Sequence, residues 1–117
     1  MVDQTDDSIR TYIVAVDASS TFADGERLYL HIKTNHLISN WWNWLPLVYL
    51  VVSPAGAETL SRELQTAAPG SRFLVAEVNL ENSEGILPKD AWNWIMRRSQ
   101  SQIGAGNQGA MSNAEKR

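Results

Sequence analysis

Residues 41–52 read WWNWLPLVYLVV, with three tryptophans in four positions followed by an apolar run that only Pro46 interrupts. Proline cannot donate to a strand ladder, so it divides the stretch into a strand over "WWNWL" and a second strand over "LVYLVVS". Two strands this close in sequence form a tight hairpin or one bent strand. The run is too short to span a bilayer and carries Asn43 as well as Pro46, which excludes a transmembrane reading.

Working outward towards the N-terminus, "TYIVAVD" (11–17) is short, β-branched and apolar on both alternating sets, the pattern of a central strand. "GERLYLHIKTNHLI" places Leu28, Tyr29 and Ile32 at helical offsets, which predicts a helix over about 24–37. Towards the C-terminus, Ser53-Pro54 offers a helix cap with proline behind it. Leu60, Leu64 and Ala67 or Ala68 line one face of the helix that follows, and Pro69-Gly70 stops it. "SRFLVAEVN" is the last strand. "DAWNWIMRR" predicts a short helix, with Asp90 near its start and Arg97 and Arg98 at its end, both favourable to the helix dipole.

The order is β-α-β-β-α-β plus a helix. It predicts an α+β, ferredoxin-like sandwich, an antiparallel sheet with two helices on one face and a short C-terminal helix. Residues 1–10 are expected to be a flexible acidic arm, 11–98 the ferredoxin-like domain, and 99–117, rich in Gly, Ser, Gln and Asn, a disordered polar tail.

A sheet covered on one face should alternate apolar and polar residues. These strands do not: Tyr12, Val14 and Val16 are opposed by Ile13 and Ala15, and Val48, Leu50 and Val52 by Leu47, Tyr49 and Val51. The second face therefore needs a cover, either the C-terminal segment with Trp92, Trp94, Ile95 and Met96 or a second copy of the chain. Exposed tryptophans are an aggregation liability. Trp41, Trp42, Trp44, Tyr49, Trp92 and Trp94 are accordingly candidate core or dimer contacts. Strand alternation puts Trp42 and Trp44 on one face and Trp41 on the other.

At 117 residues the chain is one domain by length and can bury a core without staples. It has no cysteine, which removes disulfides, zinc–thiolate sites and a cysteine nucleophile and suits a reducing cytoplasm. "MVDQTDDSIR" is acidic, the wrong sign for a secretory or transit peptide. The net charge of −3 comes mostly from the first eight residues, leaving the rest nearly neutral. Nucleic acid is gripped through clustered Lys and Arg. Beyond Arg97-Arg98 no such cluster exists, so charge does not support nucleic-acid binding, and no membrane partner is expected.

The pattern resembles the SinR-like small proteins, relatives of the CRISPR-associated (Cas2/VapD-type) nuclease-like superfamily. The matching stretches are "YIVAVD", "NWWNWLPLVYLVVS", "AETLSRELQTAAPG", "RFLVAEVN" and Ala91-Trp92, together spanning about residues 11–98. The resemblance implies a ferredoxin-like fold and a homodimer formed through the sheets. In the nuclease relatives an Asp ends the first strand, and two such residues meet near the dimer axis around a divalent cation. Asp17 matches that position. The Arg-rich first helix and the Ser-Val-Phe stretch of those relatives are missing here.

Asp17 is thus the candidate catalytic and metal residue: a carboxylate at a strand end able to hold Mg²⁺ or Mn²⁺ with its dimer mate. The competing role is a cap on the Ser19-Ser20 loop, common for Asp in turns. "DASST" (17–21) also imitates a metal-binding loop, but without identifiable further ligands. His31 and His36 are five apart, the wrong spacing for two ligands on one helical face, and read as surface histidines. "GAGNQGA" lies in the polar tail with no strand before it, so it is no phosphate loop. No cofactor is expected unless the protein is a nuclease. The sequence favours a non-catalytic homodimeric interaction or assembly module. The alternatives are a metal-dependent ribonuclease or deoxyribonuclease using paired Asp17, and a regulatory domain binding a small ligand or partner with Trp92, Trp94, Asn93 and Glu77.

Overall fold

The segments that are apolar on both alternating sets form the centre of a sheet. A computed structural model describes residues 9–103, with elements β1 (Arg10–Val16), α1 (Phe22–Thr34), β2 (Asn40–Leu45), β3 (Val48–Ser53), α2 (Ala57–Ala67), β4 (Phe73–Glu77) and α3 (Lys89–Ile103). The strands make one antiparallel sheet in the order β2-β3-β1-β4. The two strands with the densest apolar runs, β1 and β3, are central, and the shorter β2 and β4 form the edges. Order and direction are those of the ferredoxin-like fold expected from the sequence. The chain divides into two compact units, one ending at Val78 and one beginning at Asn79, where the sequence suggested a single domain over 11–98.

In the first unit, Tyr12, Val14, Tyr49 and Val51 from the central strands pack with Leu28 and Ile32 of α1 and with Leu60, Leu64 and Ala68 from α2 and its end. Both helices therefore lie on one face of the sheet. Full burial of each Leu or Ile contributes about 1.5–3 kcal/mol, which makes this cluster the main source of the unit's stability. Tyr12 keeps its hydroxyl satisfied by donating to the Ala55 carbonyl at 2.8 Å.

Helix α1 begins and ends earlier than its periodicity suggests, and local hydrogen bonds show why. Thr21 is the N-cap: its Oγ1 accepts the Asp24 N–H at 3.0 Å and donates to Asp24 Oδ2 at 3.2 Å. Asp24 also accepts from Arg27 at 2.9 Å. At the far end Asn35 Oδ1 accepts the Leu37 N–H at 2.7 Å, turning the chain out of the helix. Helix α2 corrects the sequence expectation at its start. Ser53 is the last residue of β3, its hydroxyl accepts the Ala55 N–H at 3.0 Å in the turn, and Gly56 is the N-cap without a side-chain bond.

The β2–β3 connection is the tight hairpin, because Leu45 faces Val48 across the two residues Pro46 and Leu47. No non-glycine residue among those described has positive φ, so the primed turns that normally match strand twist are excluded here. The pairing register shifts by one residue between Trp42 and Leu45, a bulge in β2. The Asn43 amide closes the hairpin by donating to the carbonyls of Leu45 at 3.0 Å and Val48 at 3.1 Å.

In the second unit, α3 runs to Ile103, beyond the expected end at Arg98. Ala91, Trp92, Ile95 and Ser99 are its buried positions. That stripe has helical spacing and continues through Ser99, so the polar "SQSQI" is carried along as helix rather than starting the tail. The rest of the expected tail and most of the N-terminal arm lie outside the described residues. No helix among the described residues is long and apolar enough to cross a membrane.

Candidate functional site

Strand pairing fixes which residues share the sheet face away from α1 and α2. Trp42, Leu50, Ile13 and Ala76 lie opposite one another in one lateral row, and Leu45, Val48, Ala15 and Leu74 in the next. The first row contains the buried Trp42 and Leu50. The second is open at both ends, with Leu45 45% and Leu74 62% exposed. That row sits where β1 and β2 end and β3 and β4 begin. Trp44 and Leu47, each 45% exposed, flank the hairpin turn at the same end, and Phe22, 84% exposed, opens α1 there. Five large exposed apolar side chains thus lie toward one end of the sheet, Leu45 and Leu74 on the face away from the helices and Phe22 on α1. The opposite end of the strands carries Arg10, Asn40, Ser53 and Glu77.

The three clustered tryptophans have different fates. The bulge shifts the pairing by one residue, so Trp42 shares its face with Leu45 and not with Trp44, as plain alternation predicted. Trp41 packs against the core, edge-on to Tyr29 at 5.6 Å and tilted against Tyr49 at 6.5 Å. Trp42 is 4% exposed, and its indole N–H has no hydrogen-bond partner. Trp44 is the exposed one. Tyr49 is buried in the core, and burial pushes its phenol pKa up. Trp92 is buried and Trp94 half-buried on α3.

Asp17 follows β1 at the apolar end. Its N–H donates to the Arg72 carbonyl at 2.9 Å, extending the β1–β4 ladder. Its carboxylate accepts the Ser19 N–H at 3.0 Å with Oδ1 and the Ser19 hydroxyl at 2.9 Å with Oδ2. The two bonds from Ser19 hold its pKa below the ordinary carboxylate value, and the charge of Arg72 adds to the effect. Both oxygens are engaged in the loop, the geometry of a turn cap. Among the described residues no group of three or more His, Cys, Asp or Glu side chains is placed to hold a metal ion.

A second polar site escaped the sequence. A groove of about 330 Å³ beside α1 and α2 is lined by His31, Thr59, Arg62, Glu63, Thr66 and Ala67. Asn35 organises it. Since Asn35 Oδ1 accepts from Leu37, its Nδ2 donates to Glu63 Oε1 at 2.9 Å and to His31 Nε2 at 2.7 Å. His31 Nε2 is then an acceptor, which puts the ring proton of the neutral imidazole on Nδ1. His31 and Glu63 approach to 3.7 Å. The two residues come from different helices, so no local spacing could have paired them. His36 is exposed and takes no part.

The sheet order with both helices on one face defines an α+β protein of ferredoxin-like type. No protein-family model, no curated protein and no solved structure matches the chain.

Proposed function

We propose that this protein is a non-catalytic, homodimeric interaction module. The observation that carries the reading is the apolar end of the sheet, where Phe22, Trp44, Leu45, Leu47 and Leu74 are all exposed. Large apolar side chains left exposed toward one end of a sheet support an association site there. Only Asp17 and Arg72 bring charge to the strand ends there, and they oppose each other, so the surface favours a protein partner over a polyanion. A homodimer is also what the resemblance to the SinR-like proteins implies.

Light scattering at micromolar concentration tests the reading. The expected mass is twice the 13.1 kDa of the chain. A monomer at that concentration overturns it. The competing reading, a nuclease with paired Asp17 around Mg²⁺ or Mn²⁺, draws support only from the position of Asp17. Its carboxylate bonds to Ser19 favour the cap. Mn²⁺-dependent cleavage of single-stranded RNA or duplex DNA that disappears in Asp17→Ala would displace the module reading.

A further inference from the structure

The two edges of the sheet are not equivalent, and the difference points to a specific way for two copies to meet. Strand β4 is the last strand on its side, with nothing beyond it in the sheet. Asp17 N–H reaches the Arg72 carbonyl and Val78 N–H reaches the Thr11 carbonyl. The backbone groups of residues 72, 74, 76 and 78 therefore face β1, and those of Phe73, Val75 and Glu77 face outward. Within Phe73–Glu77 there is no proline, lysine or bulge, the devices that normally blunt an edge. The exposed Leu74 stands on this edge strand.

We infer that β4 pairs antiparallel with β4 of a second copy about a two-fold axis through Val75, joining two four-stranded sheets into one of eight. The inference rests on the self-association proposed above and names its surface. An antiparallel strand pair is self-complementary by symmetry, so one edge serves both partners. In the register that pairs the whole strand, Phe73 faces Glu77 of the second copy, Leu74 faces Ala76, and Val75 faces Val75. On the order of six backbone hydrogen bonds form. Leu74 is covered by the second copy, and the apolar row that ends at Leu74 continues into the second copy's row through Ala76.

The experiment is sedimentation or light scattering of the full chain across a concentration series, with two variants. Leu74→Lys places a charge at an exposed position, which leaves the fold intact while opposing edge pairing. Val75→Pro removes an outward N–H that the fold does not use. Both should weaken dimerisation at least tenfold. Should Val75→Pro fail to fold, Leu74→Lys decides alone. As a positive test, Val75→Cys adds a lone thiol to a cysteine-free chain. In a hydrogen-bonded antiparallel pair the facing Cα atoms lie about 5.5 Å apart, so mild oxidation should link the dimer through a disulfide. A wild-type dimer indifferent to these substitutions overturns the pairing and leaves self-association standing. A monomeric wild type overturns both.

Discussion

Strands β2 and β4 both border the same sheet, both run beside an apolar central strand, and both are five or six residues long. Yet β2 closes on itself and β4 does not. Strand β2 carries a bulge, Pro46 follows it, and the Asn43 amide takes up three nearby carbonyls, those of Leu45, Pro46 and Val48. Strand β4 is regular from end to end in its pairing with β1. The lesson is that an edge is defined less by its position than by what its own side chains do to its free backbone groups. The hairpin edge spends Asn43 on its own turn and Asn40 on the Trp41 N–H, which it accepts at 2.9 Å, and β4 has no asparagine so placed.

The sharpest way to break this comparison is to put proline at two adjacent positions of β4. Ala76 turns its N–H towards β1, opposite Ile13, and Val75 turns its N–H away. Ala76→Pro should therefore destabilise the fold by about 3 kcal/mol or more, through the lost ladder bond and the clash of the ring with the neighbouring strand. Val75→Pro, measured by urea unfolding at a concentration where the chain is monomeric, should cost less, because it keeps the ladder bonds and loses only part of the packing of Val75 against the core and some backbone freedom. Equal costs at the two positions would mean that the assignment of inner and outer backbone groups is wrong.

A smaller effect is expected on the other edge. Asn43→Ala makes β2 resemble β4 by releasing the hairpin carbonyls. Because those carbonyls are accessible to water, the loss should be about 1 kcal/mol. Hydrogen exchange should quicken in the β2–β3 hairpin while the amides shared by β1 and β3 keep their protection. If exchange rises uniformly across the sheet, Asn43 is holding more than its own turn.

How much of this was legible in the sequence follows from which interactions are local. The central strands were legible, because β1 and β3 are short continuous apolar runs rich in β-branched and aromatic residues, which separates a buried strand from a buried helix. The helices were legible in their middle turns, where Leu28 and Ile32, or Leu60 and Leu64, repeat at helical spacing. Their starts were misplaced because Thr21 and Gly56 compete with equally plausible caps nearby, and only the path of the chain selects among them. The facing of Trp44 was misjudged for a specific reason. Strict alternation holds until a bulge inserts a residue, as the register shift between Trp42 and Leu45 does here. Of the site, the strand-end position of Asp17 was visible, as was the possibility that Ser19 would bind it. The cluster of exposed side chains was not. Phe22 and Leu74 are 52 residues apart in the chain and come to the same end of the sheet only because β1 leads into α1 where β4 begins. The His31–Asn35–Glu63 network likewise joins two helices that no sequence periodicity relates.

The smallest effect concerns the connection that carries β1 past the start of β4. Asp17 binds Ser19 with both carboxylate oxygens, and those bonds lower its pKa in the folded chain from the ordinary 3.8. A group with a depressed folded pKa stabilises the fold fully above its unfolded value, and that contribution disappears as pH falls through the folded value. Wild type should therefore exceed Asp17→Ala in stability at neutral pH, with the gap constant down to about pH 4 and closing below it. Ser19→Ala removes one of the two bonds and should lie between them. The loop joins the apolar end of the sheet, but the bonds of the Asp17 carboxylate are made to Ser19 within the loop, so their loss should reach melting temperature and not dimer mass. A gap that instead widens as pH falls would mean that Asp17 is held protonated in the fold. A change in dimer mass with Asp17→Ala at neutral pH would mean that the loop, and not the β4 edge alone, takes part in the contact between copies.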